Sequence, residues 1–160
     1  MKDNREIIQE KIGSVVMDFT YYAGKDLYSD GAIENEMLEI AMNHAPESFP
    51  KIIEEKKSWP IFYHFSPFRT NIIDWIPFKK TDKVLEIGAG CGAITGALAK
   101  RAGSVTCIDL SKKRSMVNAY RNRDCDNITI MVGNFKDIEP HLGNDYDYVL
   151  LIGVFEYGQA

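Results

Sequence analysis

Gly88-Ala89-Gly90-Cys91-Gly92 follows directly on an apolar run, Lys83-Val84-Leu85-Glu86-Ile87, and precedes a stretch with helical spacing. Glycines at such a junction leave the backbone bare, so a ligand can approach main-chain N–H groups at the start of a helix. A second apolar run, Val105-Thr106-Cys107-Ile108, ends in Asp109, 21 residues after Gly88. An acidic residue at that place suits acceptance of hydrogen bonds from ribose hydroxyls. The chemistry these residues fit is the binding of a nucleoside-containing cofactor.

Spacing alone leaves the cofactor open. Gly88, Gly90 and Ala93 satisfy the dinucleotide pattern G-x-G-x-x-G/A, and Asp109 would serve either kind of ribose. Glu86, two residues before Gly88, separates the options. A pyrophosphate is anionic and a carboxylate at that mouth repels it, whereas a sulfonium and an α-amino group are cationic and are attracted. Gly92 adds a third alternating glycine, which opens the loop for an amino-acid moiety. The charge argument favours S-adenosylmethionine over NAD.

Val84-Leu85-Glu86-Ile87-Gly88-Ala89-Gly90-Cys91-Gly92 resembles the first motif of class I S-adenosylmethionine-dependent methyltransferases. Val105–Asp109 resembles their second, acidic motif. Gly133-Asn134-Phe135 is similar to the segment after the third strand, and Gly153-Val154-Phe155-Glu156-Tyr157 to the segment closing the fourth. The resemblance covers residues 80–157. It implies that Glu86 and Gly88, Ala89, Gly90, Cys91 and Gly92 face the methionine part of the cofactor. It further implies that Asp109, with Leu110 beside it, takes the ribose, and that Asn134 and Phe135 border adenine. The family often has aspartate where Asn134 stands, but an amide oxygen still accepts a hydrogen bond. In such a fold the helix before the first strand can lie over the methionine end. Tyr63 and Arg69 are therefore candidates, Arg69 because a guanidinium suits a carboxylate. The function implied is methyl transfer, with no catalytic base identified; the acceptor itself is unidentified, and the charge balance of the chain points to a small molecule. Ile152–Tyr157 stands where an Asn/Asp-Pro-Pro-Tyr type motif would serve base amino groups, which disfavours those acceptors. The alternatives are a non-catalytic nucleotide- or partner-binding module, or one part of a multidomain transferase.

Each candidate also has a purely structural reading. Glu86 could pair with a basic side chain at the core's edge, and Asp109 with Ser111 could be helix-start chemistry. Cys91 reads as a small loop residue, since no partner base can be named. His64, among Phe62, Tyr63, Phe65 and Phe68, reads as packing, and Arg69 as a surface ion pair.

The elements that must hold these residues alternate after Lys79-Lys80-Thr81-Asp82. Strands are expected at 83–88, 105–109, 128–132 and 148–152, with helices at 93–101 and after Ser111, whose Met116, Val117 and Tyr120 turn inward. Alternation of this kind predicts an α/β, doubly wound Rossmann-like parallel sheet in the order 3-2-1-4. Residues 81–160 would form the cofactor-binding half-domain. Such a fold would continue beyond its fourth strand, whose open edge invites a homodimer or a further domain. Residues 1–80 read as a mixed α/β cap or accessory segment. In it Glu6–Ile12 is expected as a short helix stopped by Gly13, Val15–Tyr22 as a strand, and Tyr28-Ser29-Asp30-Gly31 as a turn. Ile33, Met37, Ile40 and Ala41 mark a helix, as do Ile72, Ile73 and Ile76 after the Ser66-Pro67 cap.

The formal net charge is −4, against the basic excess of proteins that grip nucleic acid. Lys112, Lys113, Arg114, Arg121 and Arg123 read as a solvated helix face. No apolar run approaches the ~20 residues of a membrane span, and the polar N-terminus lacks the pattern of a secretory signal. Cys91, Cys107 and Cys125 show no CxxC spacing; they are expected as reduced thiols in a cytoplasmic protein, and no metal is expected.

Overall fold

The computed structural model describes residues 6–26, 29 and 31–154. Its centre is a six-stranded sheet of β1 (Gln9–Ile12), β2 (Val15–Asp18), β3 (Lys83–Ile87), β4 (Ser104–Asp109), β5 (Ile128–Val132) and β6 (Tyr148–Leu151), in the order β1-β2-β5-β4-β3-β6. All neighbours are parallel except the β1–β2 hairpin. The last four positions are the expected 3-2-1-4 arrangement. To it the N-terminal hairpin adds two strands beside β5, so residues 9–18 share one sheet with residues 83–151.

The strand expected at Val15–Tyr22 is shorter, ending at Asp18, and the helix expected over Glu6–Ile12 is corrected to strand β1. Ile7 and Ile8 stay exposed, so a helix there would have no face to bury. Gly13, at φ +59°, makes the hairpin turn instead, and Ser14 N–H donates to the Arg123 carbonyl at 2.7 Å. Backbone pairing with β2, invisible to a local pattern, decides the conformation. Of the turn expected at Tyr28–Gly31, Tyr28 and Asp30 lie outside the described residues.

The helices are α1 (Ile33–Asn43), α2 (Phe49–Lys56), α3 (Trp59–Phe65), α4 (Thr95–Arg101), α5 (Lys112–Arg121) and α6 (Phe135–Ile138). Residues Pro67–Ile72 form a 3-10 helix where the isoleucine spacing suggested a longer α-helix. Ser66 Oγ accepts from Phe68 N–H as its cap, but only Ile73 is fully buried while Ile72 is half exposed. One sheet face carries Val15, Met17, Val84, Val105, Cys107, Ile128 and Ile130 against Leu98, Ala99 and Ala119. The other carries Leu85, Ile87 and Ile108 against Ile138. This two-sided burial is why β3 to β5 read as near-continuous apolar runs.

A separate apolar cluster ties α1, α2 and α3 to α5 through Met37, Ile40, Phe49, Ile61, Phe65 and Val117. Two polar joints fix that layer. Arg121 donates to the His64 carbonyl at 2.6 Å, its guanidinium 5.4 and 5.5 Å from the Phe49 and Phe65 rings. Asp26 sits on the start of α5, accepting from Lys112 N–H, Lys113 N–H and the Ser111 and Tyr22 hydroxyls. Burial works to raise the Asp26 carboxyl, but those donors outweigh it and hold it below the usual range. No helix among the described residues is long and apolar enough to cross a membrane.

Candidate cofactor site

The C-terminal ends of β3 and β6 open into a cavity of about 560 Å³, within the range of small-molecule sites. Glu86, Gly88, Ala89, Gly90 and Cys91 line its floor. Residues 1–80 supply the roof, through Ile33, Trp59, Pro60, Tyr63, His64 and Arg69. The structure thus brings together seven of the twelve residues singled out as cofactor-binding. The guanidinium of Arg69 lies 4.1 Å from the centre of the Tyr63 ring, a cation–π contact at the cavity wall. Arg114 also lines the cavity; its Nε donates to the fully buried carboxylate of Glu34 at 3.0 Å.

The other five lie around the rim or away from it. Asp109 closes β4 and accepts from Gly90 N–H at 2.7 Å and Ser111 N–H at 2.9 Å, so it braces the glycine loop. Burial raises its carboxyl, with the Ser111 and Gly90 N–H groups and Arg114 working against that. Leu110 follows, partly buried. Asn134 and Phe135 begin α6, both exposed; Asn134 Oδ1 accepts from Lys136 N–H at 3.0 Å as the helix cap. Gly92 sits behind the loop. Its φ is +74°, and a Cβ there would come within 2.2 Å of Asn118 Oδ1. Gly90, at φ +53°, is the opposite case: a Cβ would meet nothing within 4 Å, so the loop is bare where the cavity begins. Of the closing segment, Gly153 lines the cavity, while Phe155, Glu156 and Tyr157 lie outside the described residues.

Glu86 is 4% exposed. Burial pushes its carboxyl up to about 7, although the Thr95 and Cys107 hydrogen bonds and Arg69 act to lower it, and Asp109 adds to the rise. Its Oε2 accepts from the Thr95 hydroxyl at 2.6 Å and the Cys107 thiol at 3.5 Å. No described residue takes Oε1, which is left to the cavity. Cys91, also in the floor, is pushed up to about 12 by burial, which suits a packed thiol and not a nucleophile.

Sequence reasoning missed a buried polar chain behind Glu86. Asn118 Nδ2 donates to Thr95 Oγ1 at 3.0 Å, and Asn122 Nδ2 donates to Asn118 Oδ1 at 2.8 Å. The available signal was two amides four residues apart, Asn118 on the inward face of α5 and Asn122 at its C-terminal end. The roof residues Trp59 and Pro60 gave no comparable signal, because their place depends on how α3 docks. Thr95, expected only as part of a helix start, is fully buried.

Residues 84–160 match the family model described as a methyltransferase domain. Among curated proteins, the chain is 41% identical over 63 residues to the "Probable ribosomal RNA small subunit methyltransferase A" of Pyrococcus furiosus, covering 38% of this chain and 22% of that protein. It is 27% identical over 100 residues to the ribosomal RNA small subunit methyltransferase A of Borreliella afzelii, covering 62% and 36%. The chain therefore spans only about a third or less of the length of these relatives. Among solved structures, it is similar to a phosphoethanolamine N-methyltransferase of Haemonchus contortus in complex with phosphoethanolamine and S-adenosylhomocysteine. There the TM-score is 0.47 at 24% identity, over 70% of this chain and 25% of that one.

Proposed function

Residues 84–160 belong to a class I S-adenosylmethionine-dependent methyltransferase domain, and from that premise we propose that the described cavity holds the methionine end of S-adenosylmethionine. The observation that carries the reading is Glu86 Oε1, a carboxylate oxygen left to a cavity floored by a bare glycine loop. A cationic ligand removes the cost of ionising that buried carboxyl, while a pyrophosphate adds to it. In this reading Arg69 takes the ligand carboxylate, Tyr63 and Cys91 wall the same end, and Gly88, Ala89, Gly90 and Gly92 shape the loop. Asp109 and Leu110 take the ribose, and Asn134 and Phe135 the adenine.

The cofactor supplies a methyl group on a sulfonium, already activated for displacement. The residues of this chain then have three tasks: to bind and orient it, to exclude water under α3, and to align an acceptor. No side chain is assigned as a general base. The helices of residues 1–80 act as the cap that narrows the site. We place the acceptor among small molecules, on the net charge of −4. A ribosomal RNA acceptor is the second reading, favoured by the names of the curated relatives.

Calorimetric titration with S-adenosylmethionine, S-adenosylhomocysteine and NAD tests the cofactor. Micromolar binding of a sulfur nucleotide, lost in Asp109→Ala, is the expected result; binding of NAD alone would overturn it. Transfer of label from methyl-labelled S-adenosylmethionine into low-molecular-mass extract or into ribosomal RNA separates the two acceptors.

A further inference from the structure

Resting on that cofactor reading, we infer that Thr95 and Asn118, backed by Asn122, are positioning residues whose one-way hydrogen-bond chain fixes Glu86 Oε2 as an acceptor and presents Oε1 to the cationic end of the ligand.

The direction of the chain is set at its far end by the backbone. Asn122 Nδ2 donates to the Asn118 main-chain carbonyl at 3.1 Å, which can only accept. That fixes which way the Asn122 amide points, so its second N–H meets Asn118 Oδ1 at 2.8 Å. Asn118 is then held with Nδ2 toward Thr95, to which it donates at 3.0 Å. With its oxygen lone pair used there, the Thr95 hydroxyl proton is available for Glu86, and the 2.6 Å bond to Oε2 follows. Turning the amides over would set Asn122 Oδ1 against a carbonyl oxygen and leave Thr95 donating away from Glu86.

Packing alone gives no reason for these side chains. Thr95 and Asn118 are fully buried and Asn122 is 8% exposed, on helix faces where Leu or Val would bury more apolar surface. The backbone is shaped around them as well. A Cβ on Gly92 would lie 2.2 Å from Asn118 Oδ1, and one on Gly96 2.3 Å from Asn122 Oδ1. The glycine loop and α4 approach α5 closely only because both positions lack a side chain.

The consequence at Glu86 concerns its proton. Oε2 accepts from Thr95 and Cys107, so in the neutral carboxyl the proton resides on Oε1. An ammonium or sulfonium arriving there displaces it. The charged and titratable groups around Glu86 are Cys107 and Asp109 on β4 and Arg69 from the roof; of these only the Cys107 thiol also donates to Oε2, at 3.5 Å against 2.6 Å for the Thr95 hydroxyl. Binding is thus coupled to proton release, and the chain sets how readily the proton leaves.

The test uses Thr95→Val, which keeps the shape and removes the donor, with Thr95→Ser as the conservative rescue. In ligand-free protein, the carbon-13 titration of the Glu86 carboxyl is expected to move to higher pH in Thr95→Val and to return in Thr95→Ser. S-adenosylmethionine affinity at pH 8 is expected to fall about tenfold in Thr95→Val, the size of one hydrogen bond to a charged group. Proton release on binding at pH 7, from calorimetry in buffers of different ionisation heat, is expected to rise. A packing role would lower stability and leave the titration midpoint unmoved, which would overturn the inference. If wild type binds S-adenosylmethionine and the midpoint does not move, the positioning chain alone falls. If wild type does not bind it, the cofactor reading falls, and the assignment of Oε1 to a cation with it. Should Thr95→Val not fold, Asn122→Ala is read the same way, with a smaller shift in the same direction expected and an unmoved midpoint overturning the inference.

Discussion

At neutral pH the Glu86 carboxyl stands close to the middle of its titration, and this makes it a measurable load on the fold. Its ordinary value is 4.5 and burial raises it to about 7. Below pH 4.5 it is protonated in folded and unfolded chains alike. As the pH rises from 4.5 to 7 the unfolded chain releases its proton first, so stability falls across that window, by about 3 kcal/mol in all. Glu86→Gln is expected to remove that fall, which denaturant unfolding at pH 4.5 and pH 8 would reveal, while weakening S-adenosylmethionine binding at pH 8 at least tenfold. The thiols give a second check at this scale. Cys91 and Cys107 are buried and raised, whereas Cys125 is only partly buried. Iodoacetamide at pH 8 is expected to label Cys125 alone in the folded protein, as read by peptide mass spectrometry.

Helix α5 shows how one element serves several ends. Asp26 gathers four donors at its start, and Arg121 near its end holds α3. Asp26→Ala should therefore cost about 2–4 kcal/mol of stability by chemical denaturation, since a carboxylate accepting several bonds is removed from a helix N-terminus. Ser115, on the same helix, has a buried hydroxyl without a hydrogen-bond partner among the described residues. Ser115→Ala is expected to raise stability by about 0.5–1 kcal/mol. Elements of this kind were legible in the sequence where local signals agreed. The Ser111 cap announced α5, and apolar runs ending in Gly88 or Asp109 announced β3 and β4. Strand β1 was not legible, because its conformation depends on pairing with β2. The helices α2 and α3 carry Pro50 and Pro60 near their starts and many aromatic residues, a mixture without clear periodicity. At the site, the floor could be read from the glycines and Glu86. The roof and the amides behind Glu86 could not, since both arise from contacts between segments far apart in the chain.

At the scale of the molecule, the sheet joins the two halves of the chain. Val15 and Met17 of β2 are fully buried in the same cluster as Val105, Ile128 and Ile130. A polypeptide of residues 81–160 alone would expose that side of β5 and lose the roof. It is expected to unfold without a cooperative transition, whereas residues 1–160 give one, as followed by circular dichroism on heating.

The two outer strands differ in a way that bears on assembly. β1 presents Gln9, Glu10 and Lys11 to solvent, while β6 exposes Val149 and Leu151. Charge along a rim discourages a further strand and bare apolar residues invite one. The two rims are therefore unequal: the polar one resists a further strand, and the apolar one carries no such block.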